Sequence, residues 1–138
     1  MSVEELIADH EGYRKYPYQC TAGRVTIGFG TNLSDRGLDE EEALYLLERD
    51  VAKARAELRH EPYWLDIGEA RQAALIDMVY NLGFPRFALF QRMREALFKG
   101  DYEAAARQAE ASKWFGQVGR RGPRIVGMIR SGRWPGGA

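Results

Sequence analysis

Apolar residues at positions 3, 6 and 7, with His10 one turn further on, recur at the spacing of a single helical face, and Ser2 with Glu5 places a capping box in front of them. A short helix is predicted over about 3–11, with Glu11 at its C-terminal end. From Tyr13 to Phe29 the pattern changes to aromatic and β-branched residues broken by Pro17 and by Thr21-Ala22-Gly23, which is the texture of a small hairpin or three-stranded sheet. Gly28 and Gly30 are expected to bend its end. Asp39 and Glu42 make a second capping box, and Ala43, Leu47, Val51, Ala54 and Leu58 then form one apolar stripe on a long helix reaching about His60. Further helices are predicted over about 68–82 and 86–99, each ending near Gly83 or Gly100, then one capped by Asp101, and two more over about 113–118 and 121–130.

One helix, a small antiparallel sheet, a long helix and a helical bundle, in that order, read as a mostly α member of the α+β class with segregated elements. The 138 residues suit one domain, with a β-containing lobe at about 12–38 and a helical lobe built from about 1–11 and 60–134. A ligand cleft is expected where the sheet meets the bundle.

Charge sharpens this picture at one end of the chain. Residues 113–138 hold six of the twenty basic residues and none of the twenty acids. Those arginines either pair with acids elsewhere in the fold or attract an anionic polymer. Nucleic acid is not expected, because no reading helix or stacking platform accompanies them. A single cysteine, Cys20, allows no intrachain disulfide. The acidic N-terminal turn lacks a basic-then-apolar export signal, and no membrane insertion is expected. His10 and His60 are the only histidines, so no zinc-ligand cluster forms and neither metal nor cofactor is implied. Gly28 and Gly30 lack the remainder of a dinucleotide loop, and no serine sits in a nucleophile elbow.

Glu11 is the candidate for chemistry. Partial burial at the end of an apolar helix would raise its pKa and keep it protonated near neutrality, as protonation of a glycosidic leaving oxygen requires. The alternative for a glutamate at a helix end is a solvated or ion-paired surface residue.

The order Glu11, eight residues, Cys20, five residues, Thr26, within Thr26-Ile27-Gly28-Phe29-Gly30, resembles the active-site motif of the bacteriophage lysozymes. Further matches are the run from Ala74 to Gly83, Trp114 with Gln117, Arg121 and Arg124, and the closing Arg130 to Trp134. The resemblance covers nearly the whole chain except the connection from Thr31 to Asp39, which is shorter than in the best-known members. It implies a lysozyme-like fold and a monomeric muramidase that cuts the β-1,4 bond between N-acetylmuramic acid and N-acetylglucosamine. Glu11 would be the proton donor and Thr26 would lie beside the attacked anomeric carbon, giving an inverted product.

The position of Cys20 is often aspartate in that family, although some members carry cysteine. With an ordinary pKa, a thiol is only about 3% ionised at pH 7, so Cys20 either gains thiolate from its surroundings and helps the attacking water or is a half-buried spectator. The resemblance further implies that Gly30, Thr31, Asn32 and Leu33 line one rim of the cleft and Tyr80 and Asn81 the other, with Arg121 against the catalytic glutamate. Thr31 stands where the family usually has histidine. A lytic transglycosylase using the same cleft and a non-catalytic peptidoglycan-binding protein are the alternative functions. The resemblance implies an endolysin made in the bacterial host cytoplasm and released to the wall by a holin-type partner. A prophage remnant or a tail-associated component would look the same.

Overall fold

The computed structural model describes residues 1–136. The chain divides into two compact units, Met1–Leu46 and the part beginning at Leu47.

The first unit opens with α1 (Val3–Glu11), whose capping box is complete: Ser2 N donates to Glu5 Oε2 at 2.8 Å, and Glu5 N donates to Ser2 Oγ at 3.0 Å. Strands β1 (Arg14–Gln19), β2 (Val25–Gly28) and β3 (Thr31–Asn32) follow in antiparallel order β1-β2-β3. Of the two sheet forms open to the sequence, the three-stranded one is therefore present. Gly23 takes φ +76° in the β1–β2 turn, where its N–H donates to Cys20 O at 2.9 Å and Cys20 N donates to Arg24 O at 2.9 Å. Thr26 pairs with both Tyr18 and Asn32, so these three side chains share one face of the sheet. A short α2 (Leu33–Arg36), capped by Asn32, follows, and the boundary between the units falls within α3 (Glu40–Leu58). The Asp39–Glu42 box holds the start of α3 through bonds of 3.0 and 2.8 Å.

The second unit holds the hydrophobic core. It continues through a 3₁₀ turn at Trp64–Asp66, then α4 (Glu69–Leu82), α5 (Phe84–Phe87), α6 (Gln91–Phe98), α7 (Tyr102–Glu110), α8 (Lys113–Gln117) and α9 (Arg121–Ser131). Helix α7, whose Ala105, Ala106 and Ala109 are fully buried, packs on α6 and α9; these small side chains let the helix axes approach closely. Leu58, Leu75, Met78, Phe87, Leu97 and Ile129 fill the remaining interior. Arg71 closes the end of α9, with Nε donating to Ile129 O at 2.6 Å and the guanidinium lying 3.5 Å from the Tyr102 ring centroid.

One expectation is corrected. The helix expected over 86–99 is two helices separated by Ala88-Leu89-Phe90. The first begins at Phe84 after Gly83, with Pro85 in its opening turn, and the Ala88 carbonyl beyond its end accepts from Arg94 Nη1 at 2.9 Å. The apolar stripe of α3 is buried only in its second half, at Ala54 and Leu58 with Val51 partly covered, whereas Leu47 is exposed.

Candidate active site

Helix α1 ends where Gly12 takes φ +73° and its N–H donates to Ala8 O at 2.8 Å, which turns the chain into β1 directly behind Glu11. The β2–β3 connection is the turn Gly28-Phe29-Gly30, with Gly28 at φ +67° and Gly30 at φ +80°. These two features meet. A Cβ on Gly30 would lie 2.7 Å from Glu11 Oε2 and 2.9 Å from its Cδ, so the carboxylate rests against the bare Cα of the turn. Glycine is needed there for its backbone conformation and for the space.

Glu11 itself is exposed, and α1 buries no residue. The expected burial of this carboxyl is therefore not found, because Leu6 and Ile7 on its helix also face solvent. Gly30→Ala is expected to displace the carboxylate and to lower the thermal midpoint through a strain of about 1–2 kcal/mol. Turnover should fall by more than the lost stability explains, which parallel melting and rate measurements would show.

Cys20 is half-buried at the end of β1. Backbone hydrogen bonding, first at Arg24 and then at Ala22, holds its thiol below the usual pKa, against a smaller opposing effect of burial. Thr26 is buried at 4% exposure, and its hydroxyl donates to Arg24 O at 3.1 Å. Cys20 and Thr26 thus converge on the same turn. Alkylation of Cys20 by iodoacetamide should show a pH midpoint below that of an ordinary free thiol. An unshifted midpoint in the wild type would contradict this arrangement.

Thr31 stands opposite Ile27 in β3, Asn32 follows it, and Leu33 begins α2. The Asn32 side chain is engaged in capping, with Oδ1 accepting from Asp35 N at 3.1 Å and Nδ2 donating to Asp35 Oδ2 at 3.0 Å. In the second unit Tyr80 is exposed on α4. Its neighbour Asn81 accepts from Trp114 Nε1 at 3.0 Å. An indole can only donate, so this bond turns the Asn81 oxygen inward and its Nδ2 donors outward. Trp114 is buried and meets Phe90 edge-on at 6.4 Å.

Arg121 pairs with Asp77, Nε to Oδ1 at 2.9 Å. The structure therefore groups Glu11, Cys20, Thr26, Gly30, Thr31, Asn32 and Leu33 in the first unit, and Tyr80, Asn81 and Arg121 in the second. The parts played by Asp77 and Trp114 as partners were not read from sequence. Among the described residues, no three His, Cys, Asp or Glu side chains gather as metal ligands would.

Residues 8–131 match the family model described as phage lysozyme. The chain belongs to the phage lysozyme family. That family is one of lysozyme-type peptidoglycan hydrolases. Among related phage lysozymes, an endolysin of Acyrthosiphon pisum secondary endosymbiont phage 1 is 33% identical over 131 residues, covering 91% of this chain and 86% of that protein. The probable T4-type lysozyme 1 of Dictyostelium discoideum is 22% identical, covering 95% of each chain. The pre-baseplate central spike protein Gp5 of Enterobacteria phage T4 is 27% identical over 96% of this chain, which spans only 28% of the spike protein's length.

Proposed function

We propose that this member of the phage lysozyme family hydrolyses the β-1,4 bond between N-acetylmuramic acid and N-acetylglucosamine in peptidoglycan. The observation that carries the reading is the Glu11 carboxylate seated on Gly30, on the same small sheet whose β1–β2 turn joins Cys20 to Thr26. Glu11 donates its proton to the leaving glycosidic oxygen as the bond to the anomeric carbon breaks. In the free protein this carboxyl is exposed, so the glycan itself must exclude water from it on binding.

Water then attacks the anomeric carbon from beside Thr26. The Thr26 proton is already given to Arg24 O, so its oxygen can accept a hydrogen bond from that water and orient it. Cys20, with its lowered pKa, takes the water's proton as thiolate or stabilises the positive charge developing at the sugar ring. Activity that depends on this thiolate falls as pH drops through the Cys20 pKa. Cys20→Asp should therefore keep turnover at more acidic pH, which a pH profile would reveal. Asn81, its amide oxygen tied to Trp114, offers N–H donors to acceptor groups such as an acetamido carbonyl.

We further propose a role in host lysis, which the endolysin relative supports, with synthesis in the host cytoplasm and release by a holin-type partner as the family resemblance implies. Digestion of purified peptidoglycan tests the reading. Soluble muropeptides with reducing ends are expected, anhydro ends would move the assignment to a lytic transglycosylase, and binding without fragments would make the chain a non-catalytic wall-binding protein.

A further inference from the structure

A cavity of about 400 Å³ lies in the second unit between the C-terminal half of α3 and the junction of α4 with α5. Its polar wall is Asp50, Lys53 and Glu57, which with Ala54 fall at positions i, i+3, i+7 and i+4 and so share one face of α3. Tyr80 and Phe84 form the opposite, aromatic wall.

The three charges alternate minus, plus, minus along the helix. At roughly 1.5 Å per residue, Lys53 sits about 4–5 Å along the axis from Asp50 and about 6 Å from Glu57. Their spacing would permit pairing on the helix surface, yet among the described residues none of the three makes an ion pair or side-chain hydrogen bond. The wall is thus left with two acceptor groups flanking one cationic donor, facing an apolar surface that covers an aliphatic chain well.

We propose that this cavity holds the side-chain end of a diamino acid in the stem peptide of the substrate, one that carries an ammonium and a carboxylate on the same carbon. Its carboxylate meets Lys53, its ammonium meets Glu57 on one side of it, and its methylene chain lies against Tyr80 and Phe84. A lysine in the same place has the ammonium and the chain but leaves Lys53 without a partner. The cavity therefore distinguishes the two stem types by the added carboxylate. This assignment rests on peptidoglycan being the substrate, but its test is independent of turnover.

Binding of L-alanyl-γ-D-glutamyl-meso-diaminopimelate and of its L-lysine counterpart is measured by NMR titration and calorimetry, with the wild type and with Lys53→Met. Lys53 is exposed, and the substitution leaves the core untouched. The wild type should favour the diaminopimelate peptide by roughly three- to tenfold, the scale of one partly exposed ion pair. Shifts should centre on α3 and on Tyr80, and Lys53→Met should abolish the preference. Glu57→Gln should weaken both peptides. Equal affinities in the wild type, a preference that survives Lys53→Met, or no binding at millimolar peptide would overturn the proposal. Failure of the enzyme to cut any peptidoglycan would instead count against the proposed function, and the peptide titration would still decide the cavity's role.

Discussion

Glu11→Gln is expected to lower the initial rate on purified peptidoglycan by about 10²–10⁴-fold while leaving the fold intact. That range is what a positioned general acid contributes. Glutamine keeps the shape that rests against Gly30 but has no proton to give to a leaving oxygen. Because Glu11 is exposed and joins no ion pair among the described residues, its replacement should leave the thermal midpoint within about 0.5 kcal/mol of the wild type in stability. Soluble muropeptide release, followed over time with matched melting curves, separates the two effects. A rate within a few-fold of wild type would remove Glu11 from the chemistry and with it the role of the α1–turn contact.

The largest effect on stability is expected away from the site, at Arg94. Its guanidinium grips the Glu61 carboxylate at two points, 2.6 and 2.9 Å, and also donates to Ala88 O. Glu61 is 8% exposed and accepts a further bond from Tyr63 Oη at 3.2 Å. Burial, and then the Glu61 charge, push the Tyr63 hydroxyl pKa far up, so that it remains a donor. Hydrogen bonding to Glu61 raises the Arg94 pKa, so the stability linked to Arg94 protonation is complete below its unfolded pKa and is lost as pH rises through the folded one, in strong alkali.

Arg94→Met leaves a buried carboxylate without its cation and should cost about 3–5 kcal/mol. That is a large share of the about 5–15 kcal/mol that holds a typical domain folded. Adding Glu61→Leu to the same chain should recover most of the loss, because the unpaired charge then disappears. Urea denaturation of the single and double variants checks both statements. A single variant that unfolds at the wild-type midpoint would show that the pair is not a structural anchor of the second unit.

What could be read in advance was local. Ser2 with Glu5, and Asp39 with Glu42, are signals contained within four residues, and both boxes are formed with the expected bonds. Asp101 caps α7 for the same reason, its side chain accepting from Ala104 N at 3.0 Å. The spacing of Glu11, Cys20 and Thr26 was equally visible, and the meeting of Cys20 with Thr26 follows from a tight turn between paired strands.

The features not legible in the sequence depend on distant partners. Glu61 with Arg94, and Asn81 with Trp114, are each 33 residues apart, beyond any helical or hairpin rule. The break after Phe87 is also tied to a residue outside its own turn, since Arg94 donates to the Ala88 carbonyl there. Helical periodicity predicted that one face of α3 is apolar but not how far along the helix that face would be covered. Asn32 offered an amide for sugar recognition in the sequence, whereas the structure uses most of its hydrogen-bonding capacity to start α2.

The most direct measurement is digestion of peptidoglycan in heavy-oxygen water, with the released muropeptides weighed by mass spectrometry for the wild type and for Glu11→Gln. Attack by water beside Thr26 predicts one heavy oxygen at each new reducing-end muramic acid from the wild type and no product from the variant over the same period. Products with anhydro ends and no heavy oxygen, or labelled products formed equally fast by Glu11→Gln, would contradict hydrolysis driven by this carboxyl.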